Sequence, residues 1–245
     1  MNSPAENLPL ALVTGAAHRL GRAIARGLAG EGYAIGLHYY HSADGAQQTA
    51  REIQELGVPV QLYRANLASE PDIKAMFDHV ASQPHPLRVL VNSAAIMKKS
   101  NLRDQQVCDW DETMAVNLRA PWLCAQQACR LMEANGGVII NISDSGARKT
   151  WTGYAAYVIS KAGLEALTRL LARTYAPQIR VNAVAPGLIL APEQMPAEEW
   201  QRLVNRAPAR TAGTVGDIVE AVLFLIRNQY ITGQTIVVDG GNQLI

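Results

Sequence analysis

Cysteine is scarce: three residues, Cys108, Cys124 and Cys129, in 245. An odd number without metal-ligand spacing sets aside a disulfide framework and reads as buried or incidental thiols in a reducing compartment, with no metal site expected. Excess charge is also missing, since 22 Lys and Arg stand against 21 Asp and Glu for a formal net charge of +1. That leaves no electrostatic ground for nucleic acid or an anionic membrane as partner and points to a small molecule. No apolar run approaches the roughly 18 to 20 residues of a membrane span. No basic segment followed by an apolar stretch opens the sequence, so a cytoplasmic location is expected. Pro/Gly/Ser-rich linkers, repeats and low-complexity tracts are absent too, so residues 1–245 are read as one domain.

What is present is an alternation of short apolar runs with segments of helical period. Leu10 to Thr14, the helical Leu20 to Glu31 and Tyr33 to His38 form a βαβ unit. Strand patterns follow at Val58 to Arg64, Leu87 to Asn92, Gly137 to Asn141, Arg180 to Val184 and Thr235 to Val238. Near-continuous apolarity suits strands covered on both faces. The expected fold is α/β, a Rossmann-type doubly wound parallel sheet of about seven strands flanked by helices. Residues 186–212, rich in Pro and Ala, break the rhythm and read as a substrate loop on the same domain.

Between the first strand and first helix lies Thr14-Gly15-Ala16-Ala17-His18-Arg19-Leu20-Gly21. Glycines there permit a tight turn, and the new helix points its N-terminal amides at a phosphate. A glycine pair alone also marks any strand that turns into a helix; the strand before and helix after favour a dinucleotide loop. Dinucleotide folds that prefer NAD place a carboxylate at the end of the second strand. Here that segment is His38-Tyr39-Tyr40-His41-Ser42, with Asp44 the first acid after it. His18, Arg19, His41 and Ser42 offer charge and donors for a 2′-phosphate, which favours NADPH; as plain loop residues they would simply be solvated.

Tyr157 and Lys161 are four residues apart, on one face of a helix that begins by the carboxyl edge of the sheet. A nearby ammonium favours the phenolate and equips the Tyr for proton transfer. Isolated, such a pair reads as a core Tyr and a surface Lys.

With these marks the chain resembles the short-chain dehydrogenase/reductase family over nearly its whole length. They occur in order: the Thr14 to Gly21 loop, Asn92-Ser93-Ala94-Ala95, Asn117 in a helix, Tyr157 and Lys161, Pro186-Gly187, and Val238-Asp239-Gly240-Gly241. The resemblance implies that Tyr157 gives the proton, that Lys161 holds the nicotinamide ribose and tunes the Tyr, and that Asn117 supports a water relay to Lys161. It implies a cofactor held by Gly15, His18, Arg19, Leu20, Gly21, Tyr39, His41, Ser42, Asn66, Leu67, Asn92, Ser93, Ala94, Tyr157, Lys161, Pro186 and Gly187. It also implies a homotetramer.

Where most members carry Ser thirteen positions before the Tyr, this chain has Asp144, flanked by Ser143 and Ser145. In an extended strand end successive side chains face opposite ways, so neither Ser replaces Asp144 without a register change. A carboxylate beside Tyr157 raises its pKa and keeps the phenol protonated, and it suits substrates with basic ring nitrogens and exocyclic amines. Asp144, Arg19 in place of a glycine, the His38 to Ser42 segment, Gly153 to Tyr157, and Met195-Pro196 with Trp200 resemble the pteridine reductase branch. That resemblance implies a substrate site at Arg19, Met97, Asp144, Tyr154 and Leu188, hydride transfer to a ring carbon of a C=N bond, and proton delivery to nitrogen by Tyr157 with Asp144. Three positions depart from the branch: Met97 where an aromatic stacks on the pterin, His41 where Arg meets the 2′-phosphate, and Asn66 where Asp meets the adenine amine. The alternatives are an NADPH-dependent carbonyl reductase of the same family, acting on a 3-oxoacyl or sugar ketone, and a non-catalytic NADPH-binding sensor.

Overall fold

The structure is a computed structural model that describes residues 8–192 and 195–245. Seven strands form one sheet: β1 (Leu10–Val13), β2 (Ala34–Tyr39), β3 (Val60–Arg64), β4 (Leu87–Asn92), β5 (Gly137–Ile142), β6 (Ile179–Pro186) and β7 (Thr235–Val238). Their order is β3-β2-β1-β4-β5-β6-β7 and every pairing is parallel, as the apolar runs implied. The sequence places β2 one residue early and ends β6 two residues short. Pro186 can close β6 because a strand's last residue need not donate to the ladder.

The helices are α1 (Arg19–Gly30), α2 (Ala43–Gln54), α3 (Glu70–Ala81), α4 (Val107–Met114), α5 (Ala120–Met132), α6 (Ala155–Tyr175), α7 (Ala197–Arg206) and α8 (Val215–Arg227). Two apolar layers enclose the sheet, one around Leu12, Leu90 and Ile139, the other around Leu37, Val91 and Ile140. Alternate residues of β4 and β5 thus enter opposite layers, and each large aliphatic buried there contributes about 1.5–3 kcal/mol.

In the segment read as a loop, 186–212, the structure forms α7. Its signals are ordinary: Pro196 just before it, Glu198 and Glu199 in the first turn, Arg206 in the last, and Val204 facing inward. Positions 193 and 194 of that segment lie outside the described residues. Among the described residues no helix is long and apolar enough to cross a membrane.

Candidate active site

With β4 beside β1 rather than β3, the strand order reverses direction between them, and the loops leaving their carboxyl ends part to form a crevice. A cavity of about 510 Å³ occupies it, bounded by the loops after β1, β2, β3, β4, β5 and β6 and by the start of α6.

At one end stands the glycine loop. Gly15 has φ of 66°, and a Cβ there would come within 2.8 Å of Ala94 Cα. On Gly21 a Cβ would stand 2.2 Å from Gly15 O. The loop therefore closes on itself and on β4 only with glycine at both places, leaving a cradle at the N-terminus of α1 for a phosphate. Thr14 fastens it to β4, its Oγ1 accepting from Ser93 N at 3.0 Å and Ala94 N at 3.1 Å. The residues present fit a dinucleotide.

Arg19, the first residue of α1, has φ of 51°, a left-handed conformation that costs a side-chain-bearing residue about 1–2 kcal/mol. Its guanidinium spans the cavity mouth and donates to Leu190 O at 3.1 Å and Ala191 O at 3.3 Å. The glycine loop and the β6–α7 segment are thereby clasped together.

At the other end Tyr157, in the first turn of α6, donates to Asp144 Oδ2 at 2.7 Å. Asp144 leaves β5 in extended conformation and caps the 3₁₀ turn Ser145–Arg148 by accepting from Gly146 N at 2.6 Å. The neighbouring serines face elsewhere. Ser143 Oγ lies 3.4 Å from both Lys161 O and Glu165 Oε1, and Ser145 Oγ is buried without a partner among the described residues. Only the carboxylate meets the phenol, as strand alternation requires.

Lys161 is buried, its Nζ donating to Ile142 O at 2.7 Å and standing 5.7 Å from the Tyr157 ring centroid. Burial pushes Lys161 down to about 8, against the pull of Asp144. Tyr157 is held well above its ordinary 10.0 by burial first and then by Asp144. Asp144 is itself raised by burial, with the Tyr157 and Gly146 hydrogen bonds and Lys161 opposing. The sequence sets ammonium against carboxylate over the phenol; in the structure burial leads and the carboxylate reinforces it. The phenol keeps its proton.

Asn117 belongs not to a regular α-helix but to a π turn, Ala115–Arg119, between α4 and α5. Pro121 has no N–H to give the Asn117 carbonyl four residues earlier, and its ring crowds that oxygen. The side chain is spent on structure: Oδ1 accepts from Ile96 N at 2.9 Å, and Nδ2 donates to Ile96 O at 2.8 Å and Ser160 Oγ at 3.1 Å. Asn92 lies behind the cavity, donating to Asn141 Oδ1 at 2.9 Å, while Asn141 donates to Thr168 Oγ1 at 2.9 Å. These chains of bonds tie β4, β5 and α6 together under the site.

Of the residues singled out from sequence, the cavity wall brings together Gly15, His18, Arg19, Leu20, Gly21, Tyr39, His41, Ser42, Asn66, Leu67, Ser93, Ala94, Asp144, Tyr157, Lys161, Pro186 and Gly187. Asn92, Met97, Asn117, Tyr154 and Leu188 are not part of it. Ile189 and Leu190 line it in place of Leu188. Tyr154 instead precedes α6 in a bridge with Ser100. Half-exposed Met97 stands between two fastenings of the β4–α4 loop, Ile96 to Asn117 and Lys98 to Asp109 and Glu112 at 2.6 and 2.5 Å. Asn66 Oδ1 already accepts from Ala68 N at 3.0 Å, using one of its two lone pairs. Sequence reasoning overlooked Glu112, Val116 and His38 in the wall; the His38-Tyr39-Tyr40-His41-Ser42 run contained the last of these but gave no sign of which side chains turn inward.

The family described as "Enoyl-(Acyl carrier protein) reductase", a short-chain dehydrogenase group, matches residues 15–243. The 3-oxoacyl-[acyl-carrier-protein] reductase FabG of Staphylococcus aureus is 38% identical over 237 residues, covering 94% of this chain and 96% of that protein. Among solved structures, FolM Alternative dihydrofolate reductase 1 from Brucella canis, complexed with NADP, superposes with a TM-score of 0.92 at 31% identity, covering 100% of this chain and 97% of that one. A blue fluorescent protein from a metagenomic library, in complex with NADPH, gives a TM-score of 0.88 at 32% identity, covering 97% and 99%.

Proposed function

The chain belongs to the short-chain dehydrogenase/reductase family, and we propose that within it this protein is an NADPH-dependent reductase of dihydropterin or dihydrofolate-like C=N bonds. The observation that carries this reading is the part-buried bond from Tyr157 to Asp144. A carboxylate accepts hydrogen bonds from ring N–H and exocyclic amine groups, which a pterin offers. A ketone presents only an acceptor, which a carboxylate repels. The FolM protein of Brucella canis, a solved relative, is named an alternative dihydrofolate reductase.

NADPH, when bound, supplies the hydride. Tyr157 holds a proton through the neutral range and hands it to the substrate nitrogen; Asp144, raised by burial, shares that proton and orients the phenol. The Lys161 ammonium offsets the negative charge then left on the Tyr157–Asp144 pair. Asn117 holds the Ile96 segment, and its proline-deprived carbonyl faces no i+4 amide, which suits the water relay the family resemblance implies. Residues 1–245 act as one catalytic domain with the 186–212 segment over the substrate, assembled as the family's homotetramer.

The second reading, an NADPH-dependent 3-oxoacyl reductase, is favoured by the FabG relative and by Met97, which supplies no aromatic plane for a heterocycle. Following NADPH oxidation with a dihydropterin, dihydrofolate and a 3-oxoacyl thioester offered separately, with NADH as control, separates the two. Turnover of a pterin or folate is expected; turnover of the thioester alone would transfer the assignment to the second reading.

A pH dependence follows from Lys161. Because its pKa in the fold is near 8, the free enzyme loses this charge as pH rises through about 8 rather than near the ordinary lysine value of about 10.4. NADPH affinity, measured by fluorescence titration from pH 6.5 to 9.5, is expected to weaken above pH 8. An affinity flat across that range would contradict the role given to Lys161.

A further inference from the structure

One buried histidine is unused by the chemistry above. His38, on β2, is 2% exposed, and both ring nitrogens are engaged: Gly15 N lies 3.1 Å from Nδ1, and Ala65 O lies 3.0 Å from Nε2. A backbone amide only donates and a carbonyl only accepts, so Nδ1 must carry the lone pair and Nε2 the hydrogen. One neutral tautomer satisfies both. The His38 main chain adds a third tie, its carbonyl accepting from Ala16 N at 2.9 Å.

The partners belong to two neighbouring loops of the cofactor cleft. Gly15 opens the phosphate cradle, while Ala65 leads directly into Asn66 and Leu67 of the cavity wall. The two loops follow different strands, β1 and β3, and the ring between them is a shared reference for both. Gly15 needs one, since its left-handed backbone is not dictated by the strand it follows.

We propose that His38 is a positioning residue for cofactor binding, its neutral ring fixing the glycine loop against the Ala65–Leu67 loop so that a dinucleotide meets both already in place. Loops set before binding spare the ligand the entropy of ordering them. The proposal rests on the NADPH-dependent reductase reading and is independent of which substrate is reduced.

Titratable side chains on the surrounding elements are Tyr63 and Arg64 of β3, Tyr39 of β2, His18 and Arg19 of the glycine loop, and Glu70, Asp72, Lys74, Asp78 and His79 of α3; β1 has none. Of these, Asp72 accepts from Asn66 N and His79 packs on Tyr63, and the His38 ring bonds only to backbone. Burial pushes it down to about 4, the Ala65 carbonyl opposing. A proton gained at Nδ1 would confront the Gly15 N–H and break that tie.

Three variants test this. His38→Asn keeps an acceptor near the place of Nδ1, His38→Gln keeps a donor near the place of Nε2, and His38→Leu keeps neither. The KM for NADPH is expected to rise about tenfold in His38→Leu, the worth of lost buried hydrogen bonds, and by smaller factors in the other two. In all three, kcat at saturating NADPH should stay within about twofold of wild type, since no reacting group is touched. Calorimetric NADP⁺ binding adds a readout that a purely structural role would not move. Between pH 7 and 4 the wild type should weaken relative to His38→Asn by about twofold, the factor for a half-protonated ring. An unchanged NADPH KM in His38→Leu, or a wild-type to His38→Asn ratio that ignores pH, overturns the proposal. If His38→Leu does not fold, an unchanged KM in both His38→Asn and His38→Gln overturns it equally. Wild-type protein that binds no NADPH at all would instead overturn the reductase reading.

Discussion

Replacing Tyr157 by Phe is expected to lower kcat by about 10²–10⁴-fold, the contribution of a positioned general acid, while NADPH affinity stays close to that of the wild type. The phenol is the side-chain donor to the site's carboxylate, 2.7 Å from Asp144 Oδ2. Its removal keeps the ring that packs in the first turn of α6 and takes away only the O–H. Steady-state kinetics with a fluorescence titration of NADPH separates the two effects, and a variant with full turnover would contradict the assignment of Tyr157 as acid. Loss of NADPH binding along with turnover would point instead to a collapsed site.

The second large effect is expected at Asp144. In Asp144→Ser, kcat/KM for a dihydropterin should fall at least about 10²-fold, the equivalent of losing a charge-assisted hydrogen bond of about 3 kcal/mol, while reduction of a 3-oxoacyl thioester should improve. Both directions share a cause. The carboxylate that accepts from a pterin's N–H groups repels a ketone oxygen, and a serine hydroxyl reverses the preference. Asp144 also helps hold Tyr157 above its ordinary range, so the phenol pKa should come down in the variant as one raising influence is removed. A fall in both activities together, with NADPH binding kept, would mean that Asp144 serves the fold of the Ser145–Arg148 turn rather than substrate choice.

Much of this site was legible as spacing. The four-residue spacing from Tyr157 to Lys161 places both on one helix face, and alternation beyond β5 places Asp144, not Ser143 or Ser145, toward the phenol. The doubly wound parallel sheet followed from right-handed crossovers and apolar runs; its strand order did not. Quantities that depend on three-dimensional enclosure were not legible. Burial outranks Lys161 in setting Tyr157, because the depth of α6 against β5 is a property of the packed layers. The π turn at Asn117 did have a local signal in Pro121, four residues on, as α7 did in its flanking charges. His38 had none, since a histidine in a strand pattern reads the same whether it bridges two loops or fills the core. The substrate wall proved the hardest part to read: Met97, Tyr154 and Leu188 stand outside the cavity while Ile189 and Leu190 line it, because a loop's side-chain directions follow from its tertiary fastenings and not from periodicity.

Substrate choice is tested most directly by competition. The enzyme is given NADPH deuterated at the transferable position, with a dihydropterin and a 3-oxoacyl thioester present together at equal concentration, and mass spectrometry reads where the deuterium goes. Deuterium on a pterin ring carbon that formerly belonged to a C=N bond is the expected result. Deuterium found only on the carbinol carbon of a 3-hydroxyacyl product would contradict the pterin assignment and identify a carbonyl reductase with an unusual aspartate.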